Sequence, residues 1–252
     1  MAAKSIITSY TIAALVFAAS ISSAAEFTIA NGQIFTPGLV IVDAPQPGTP
    51  LGGDFIEVAL DVSANGRLQL PPYPEDSRSM IYNISIFMSS YETGRNFTIT
   101  NGTASANDAS LGDIMFQEPG STVKHVKWTW PDCLVGDGKP EQGLGDTDRG
   151  FYNISIRQSF RLNGEDHYTV FDLPISVTNS IPPSVLRPSC DSLDNPLLDP
   201  EQILESADTS VPVMFAPGDA TKVETSANGA TGRKPGISWI GLAGLVGVLA
   251  II

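Results

Sequence analysis

Short runs in which apolar and polar residues alternate fill the chain from about residue 27 to residue 178. In Phe55–Val62, Ile56, Val58, Leu60 and Val62 share one face of an extended strand, while Glu57 and Asp61 share the other. Comparable runs are Phe27–Ala30, Leu39–Asp43, Met80–Met88, Phe97–Thr100, Asp113–Gln117, Val123–Trp130, Phe151–Leu162 and His167–Thr178. None carries the 3.6-residue period of a long amphipathic helix. Asn163-Gly164, between the last two runs, reads as the turn of a long hairpin, because both residues accept the positive φ that such a turn demands. Strands at this spacing, with Pro-rich links such as Gln69–Pro74, predict an all-β fold, an antiparallel β-sandwich over residues 26–190. Trp128 and Trp130 fall on one strand face and read as core aromatics, unless one is exposed as a sugar-stacking platform.

The two ends depart from this pattern. Lys4 precedes an apolar stretch, Ile12–Ala19, and the small residues Ser23-Ala24-Ala25 follow. These are the parts of a secretory signal peptide, expected over residues 1–25. At the other end, small residues (Ser226–Ala230) lead into a polar spacer (Thr231–Ser238) and an apolar tail (Trp239–Ile252). That order is the pattern of a glycosylphosphatidylinositol (GPI) attachment signal. Asn228 is the favoured attachment residue, with Ser226 and Gly229 as alternatives, and 229–252 would be the cleaved propeptide. Fourteen apolar residues would rise about 21 Å as a helix, short of a hydrocarbon core of about 30 Å. Residues 191–228, rich in Pro, Asp, Glu, Ser and Thr, read as a disordered acidic stalk.

Charge narrows the partners. The chain has 27 acidic and 14 basic residues and a net charge of −13. Cleavage at both ends would remove three cations and no carboxylate, so the mature chain would be more acidic still. Such a polyanion is not drawn to nucleic acid or to an anionic lipid surface.

Cys133 and Cys190 are the whole cysteine supply, and on an oxidising secretory route such a pair is most simply one disulfide. Closing a 57-residue loop is worth about 4 kcal/mol on the chain-entropy account. Four N-x-S/T sequons occur, at Asn83, Asn96, Asn101 and Asn153. In the two YNISI runs the Tyr and Ile positions share one face, so Asn83 and Asn153 are expected to point outward.

Chemistry-bearing constellations are sparse. His125 and His167 are the only histidines, and neither has a second histidine at metal-ligand spacing. His125 shares a face with Lys127 and Thr129 and reads as a solvated edge. No G-x-S-x-G elbow accompanies any serine. Asp132, Asp137, Asp146 and Asp148 gather in one Gly-rich loop whose oxygens suit Ca²⁺, although turn-forming Asp and Gly account for it without a metal. We therefore expect no metal and no cofactor.

Asp148-Arg149-Gly150-Phe151-Tyr152-Asn153-Ile154 resembles the D-x-G-x-Y-x-C stretch of immunoglobulin-like domains, with Ile154 where the cysteine usually stands. The resemblance implies that Tyr152 forms a tyrosine corner, its hydroxyl bonding back to upstream backbone. The arrangement of leader, acidic sequon-bearing domain, stalk and apolar tail is similar to that of fungal GPI-anchored cell-surface and cell-wall proteins. That resemblance implies a structural or adhesive role at the extracellular face of the membrane or in the wall, binding wall glucan or a surface protein. The alternatives are a wall-remodelling, glycoside-active enzyme, which needs two carboxylates facing across a groove, and a surface-displayed effector or antigen.

Overall fold

A computed structural model describes residues 27–104, 112–139, 148–195 and 206–224. The signal segment, Asn228 and the apolar tail lie outside these residues, as does Asp146. The described chain is all-β. Its strands are β1 (Thr28–Ala30), β2 (Gln33–Phe35), β3 (Ile41–Ala44), β4 (Pro50–Leu51), β5 (Phe55–Asp61), β6 (Met80–Ser90), β7 (Asn96–Thr100), β8 (Val123–Thr129), β9 (Gly150–Leu162) and β10 (Glu165–Val177). They form two five-stranded sheets, in the order β1-β2-β3-β5-β8 and β4-β10-β9-β6-β7. Every pairing is antiparallel except β4 on β10.

The alternation in the sequence explains which faces meet. Ile56, Val58 and Leu60 of β5, Val126 and Trp128 of β8, Ile84, Ile86 and Met88 of β6, and Ile154, Ile156 and Phe160 of β9 are all buried in one core. Trp128 bridges the layers, 5.8 Å from Phe97 and 5.9 Å from Trp130 between ring centroids. Both tryptophans are fully buried, so neither can stack on a sugar. Trp130 donates from Nε1 to the Gly52 carbonyl at 3.2 Å. The β9–β10 hairpin turns at Asn163 (φ 54°) and Gly164 (φ 96°), as the dipeptide predicts.

Gln158 is one polar exception inside the core; Lys124, buried on the inward face of β8 beside Val126 and Trp128, is another. Gln158 lies on the inward face of β9, fully buried, where the alternation calls for an apolar residue. Its Oε1 accepts from the Val40 amide at 2.9 Å, and its Nε2 donates to Thr36 Oγ1 at 3.1 Å. Thr36 in turn donates to the Val40 carbonyl at 2.9 Å. Gln158 thus satisfies a loop of the opposite layer. Gly38 is required in that loop: its φ is +140°, and a Cβ there would stand 2.5 Å from Gln158 Oε1.

Three expectations need correction. Asp113–Gln117 is not a strand but contains a 3-10 turn, Ile114–Phe116, because the Asp113 side chain accepts from the Met115 amide and caps it. β2 and β4 were not anticipated: each spans three residues or fewer, too short for a visible period. The third correction concerns the stalk. Residues 206–224 do not extend away from the domain; Val211, Met214 and Phe215 are buried in its core. Val213 bridges to Pro37, Asp208 donates its amide to the Tyr168 carbonyl, and Arg67 lies over the Phe215 ring. The segment ends at the β9–β10 turn, where Asn163 Oδ1 accepts from the Glu224 amide and Arg78 pairs with Glu224 at 2.8 Å. Burial of three apolar side chains outweighs the solubility of the tract around them.

Candidate functional site

Cys133 and Cys190 form a disulfide. It ties a one-turn helix, α1 (Cys190–Leu193), to the loop after β8, and Asp132 Oδ1 accepts from the Cys190 amide at 3.0 Å. Just beyond it, Asn195 and Asp194 line the edge of β7 through the backbone of Asn96, closing an otherwise open sheet edge.

The acidic loop does not converge. Asp132 caps α1, Asp148 pairs with Arg95 at 2.9 Å, and Asp137 is held by Lys139, whose amide and ammonium both donate to it. The bonds to Lys139 hold the Asp137 carboxyl below its ordinary range. The three described carboxylates serve three separate contacts, which is a turn-forming role.

The histidines also have structural partners. His125 meets Glu118 at 3.2 Å on the exposed edge of β8, as expected of a solvated strand face. His167 stacks on Phe160 and meets Asp208 Oδ2 at 2.8 Å. A serine stands near this pair, but Ser210 Oγ donates to Asp208 Oδ1, not to the imidazole. The hydroxyl is on the wrong member for nucleophilic catalysis, since the base must accept the nucleophile's proton. What the cluster does is dock the 206–210 turn. The bonds from Ser210 and then His167 bring the Asp208 carboxyl down to about 2.

Tyr152 is fully buried, and its hydroxyl donates to the Asp148 carbonyl four residues upstream. Burial first, then the nearby Asp148 charge, pushes the phenol's proton affinity up, so it remains a donor at any physiological pH.

The four sequons differ in placement. Asn83 and Asn101 are exposed, and Asn96 is half-buried at the β7 edge. Asn153 departs from expectation. It faces away from the core as its phase requires, yet it is only 8 % exposed, and its Oδ1 is buried without a hydrogen-bond partner. A glycan needs an open path from Nδ2, so Asn153 is the sequon least suited to carry one.

The surroundings of Asn153 form the most unusual feature among the described residues. On the outer face of β6, β9 and β10, successive cross-strand rows place Ser89, Asn153 and Pro174 together, then Phe87, Ser155 and Asp172, then Ser85, Arg157 and Val170. The Arg157 guanidinium carbon lies over the Phe87 ring, 4.0 Å from its centroid, and the residue is 9 % exposed. Burial lowers its hold on the proton, against the opposing pull of Tyr168 and Asp172. Arg157 Nε and Asp172 Oδ1, like Asn153 Oδ1, are buried without partners. At one end Tyr91 and Phe151 are 63 % and 61 % exposed, and the Tyr91 amide bonds the Phe151 carbonyl at 3.1 Å. Burial raises the Tyr91 phenol, and the Asp172 charge adds to the effect. Sequence reasoning missed this cluster. Its members span residues 85 to 174, and only the strand register brings them together.

No family model, curated protein or solved structure matches the chain.

Proposed function

We propose that the chain is an extracellular glycoprotein held at the cell surface, or in a cell wall, by a GPI anchor. Its one immunoglobulin-like domain has a structural or adhesive role, binding wall polysaccharide or a surface protein. The observation that carries the reading is the order of small residues, polar spacer and apolar tail over residues 226–252. The Cys133–Cys190 bond fits an oxidising route of export. The exposed sequons Asn83 and Asn101 fit passage through a glycosylating compartment.

For the domain type, the support is local and topological. β7-β6-β9-β10 form one antiparallel run with β4 added parallel to β10, and in the facing layer β5 pairs with β3 on one side and β8 on the other. The Tyr152 hydroxyl bond to Asp148 has the tyrosine-corner form. Ile154 in the usual cysteine position is the departure, and the disulfide instead joins α1 to the turn after β8, both outside the strands.

Treating expressing cells with phosphatidylinositol-specific phospholipase C should release the protein, and deleting Trp239–Ile252 should divert it to the medium. Retention after phospholipase with the tail still attached, or recovery of unglycosylated protein from cytosol, would overturn the reading.

A further inference from the structure

We propose that the outer face of β6, β9 and β10 is a binding site for a neutral polysaccharide, with Tyr91 and Phe151 stacking on sugar rings and Asn153, Arg157 and Asp172 bonding sugar hydroxyls. This deepens the wall-ligand clause above and rests on it.

The first argument is the unmet polar demand. Asn153 Oδ1, Arg157 Nε and Asp172 Oδ1 are each buried without a partner, although buried polar groups are nearly always paired. They sit in three consecutive cross-strand rows, spaced by two residues, or about 7 Å, along the strands. Two are acceptors and one is a donor. Each atom is covered by its neighbours, so a sugar hydroxyl reaches it only as these side chains shift; because a hydroxyl both donates and accepts, one class of group then serves all three.

The second argument is the aromatic end. Tyr91, just past the end of β6, and Phe151 of β9 expose most of their surface beside each other. Flat apolar rings beside fixed amide, guanidinium and carboxylate groups match a pyranose, which has apolar C–H faces and a polar rim. A fully apolar partner would leave the three polar atoms unpaired.

Charge selects the neutral class. The strands of this face carry two guanidiniums, Arg157 and Arg161, and two carboxylates, Asp172 and Asp166, which offset one another within a chain of net charge −13. An acidic polysaccharide meets repulsion at every approach.

The full chain, made through a eukaryotic secretory host, would be run in native affinity gels containing soluble β-glucan, galactomannan or polygalacturonate. We expect retardation by at least one neutral polymer and none by polygalacturonate. Tyr91→Ala and Phe151→Ala should each weaken that retardation at least tenfold while leaving the melting temperature unchanged, since both side chains are mostly exposed. No retardation by either neutral polymer, retardation undiminished in the double variant, or retardation by polygalacturonate alone would overturn the site. If phospholipase still releases the protein in that case, the site falls and the anchor reading stands.

Discussion

Gln158→Leu removes a polar side chain that joins the two layers through the core. Leucine fills similar volume, so the packing loss is small and the effect isolates the hydrogen bonds. The Val40 amide loses its acceptor and is left buried, at a cost of about 1–3 kcal/mol. Thr36 keeps its bond to the Val40 carbonyl and loses only an incoming donor, so its share is about 1 kcal/mol or less. The expected loss is about 1–4 kcal/mol, against the roughly 5–15 kcal/mol typical of a domain. Guanidinium denaturation of the disulfide-intact chain measures it as a lower midpoint at unchanged slope. A cycle with Thr36→Val should give a coupling of about 1 kcal/mol, because the two side chains touch. A Gln158→Leu protein within about 0.5 kcal/mol of the wild type would refute the reasoning, since the Val40 amide would then have another partner.

Three further outcomes follow from the same contacts. Phe215→Ala should destabilise by about 3 kcal/mol by emptying a buried ring site, and should accelerate amide exchange across 206–224; exchange unchanged in that segment would show that it is not part of the core. Tyr152→Phe should cost about 1–2 kcal/mol in denaturant melts by leaving the Asp148 carbonyl unserved, and a neutral result would remove the corner from the stability account. Asp208 has a depressed folded-state pKa, so its contribution is complete above the ordinary carboxylate value and fades as pH falls from about 4 toward about 2. Asp208→Asn should flatten the fall of melting temperature across that window, and an unaltered pH profile would refute the docking role of the His167 pair.

How much of this was legible depended on whether a residue's role was set locally. The long strands could be read because one buried face imposes a period of two on β5, β6, β9 and β10, and the β9–β10 turn because Asn163-Gly164 states its own geometry. The disulfide followed from a count of two. Local chemistry misled where it competed: Asp113 caps a 3-10 turn inside an apolar run that otherwise suits a strand. The C-terminal segment was misread because its composition is averaged over many polar residues, while its position is set by Val211, Met214 and Phe215, whose partners near Thr36 and Arg67 are some 150 residues away. The burial of Asn153 was invisible for a related reason. Phase alone says which side of a sheet a residue faces, not how crowded that side is, and crowding here comes from Phe87, Arg157 and Asp172 on three strands.

The return of residues 206–224 also changes what a tether would do. The last described contacts of that segment are at Asn163 and Arg78, at the turn joining β9 to β10. Phe151 is at the opposite end of β9, twelve residues away, or roughly 40 Å at the rise of an extended strand. On the proposed anchorage, the chain beyond Glu224 leaves from the hairpin end. Tyr91 and Phe151 then face away from the membrane without a long stalk to lift them. The contacts that dock the segment therefore fix which end of the sheet meets the surroundings. Loosening them, as in Phe215→Ala, should leave polysaccharide retardation in a gel intact while reducing adhesion of whole cells to the same polymer. Equal loss in both assays would mean that the segment acts on the binding face itself rather than on its orientation.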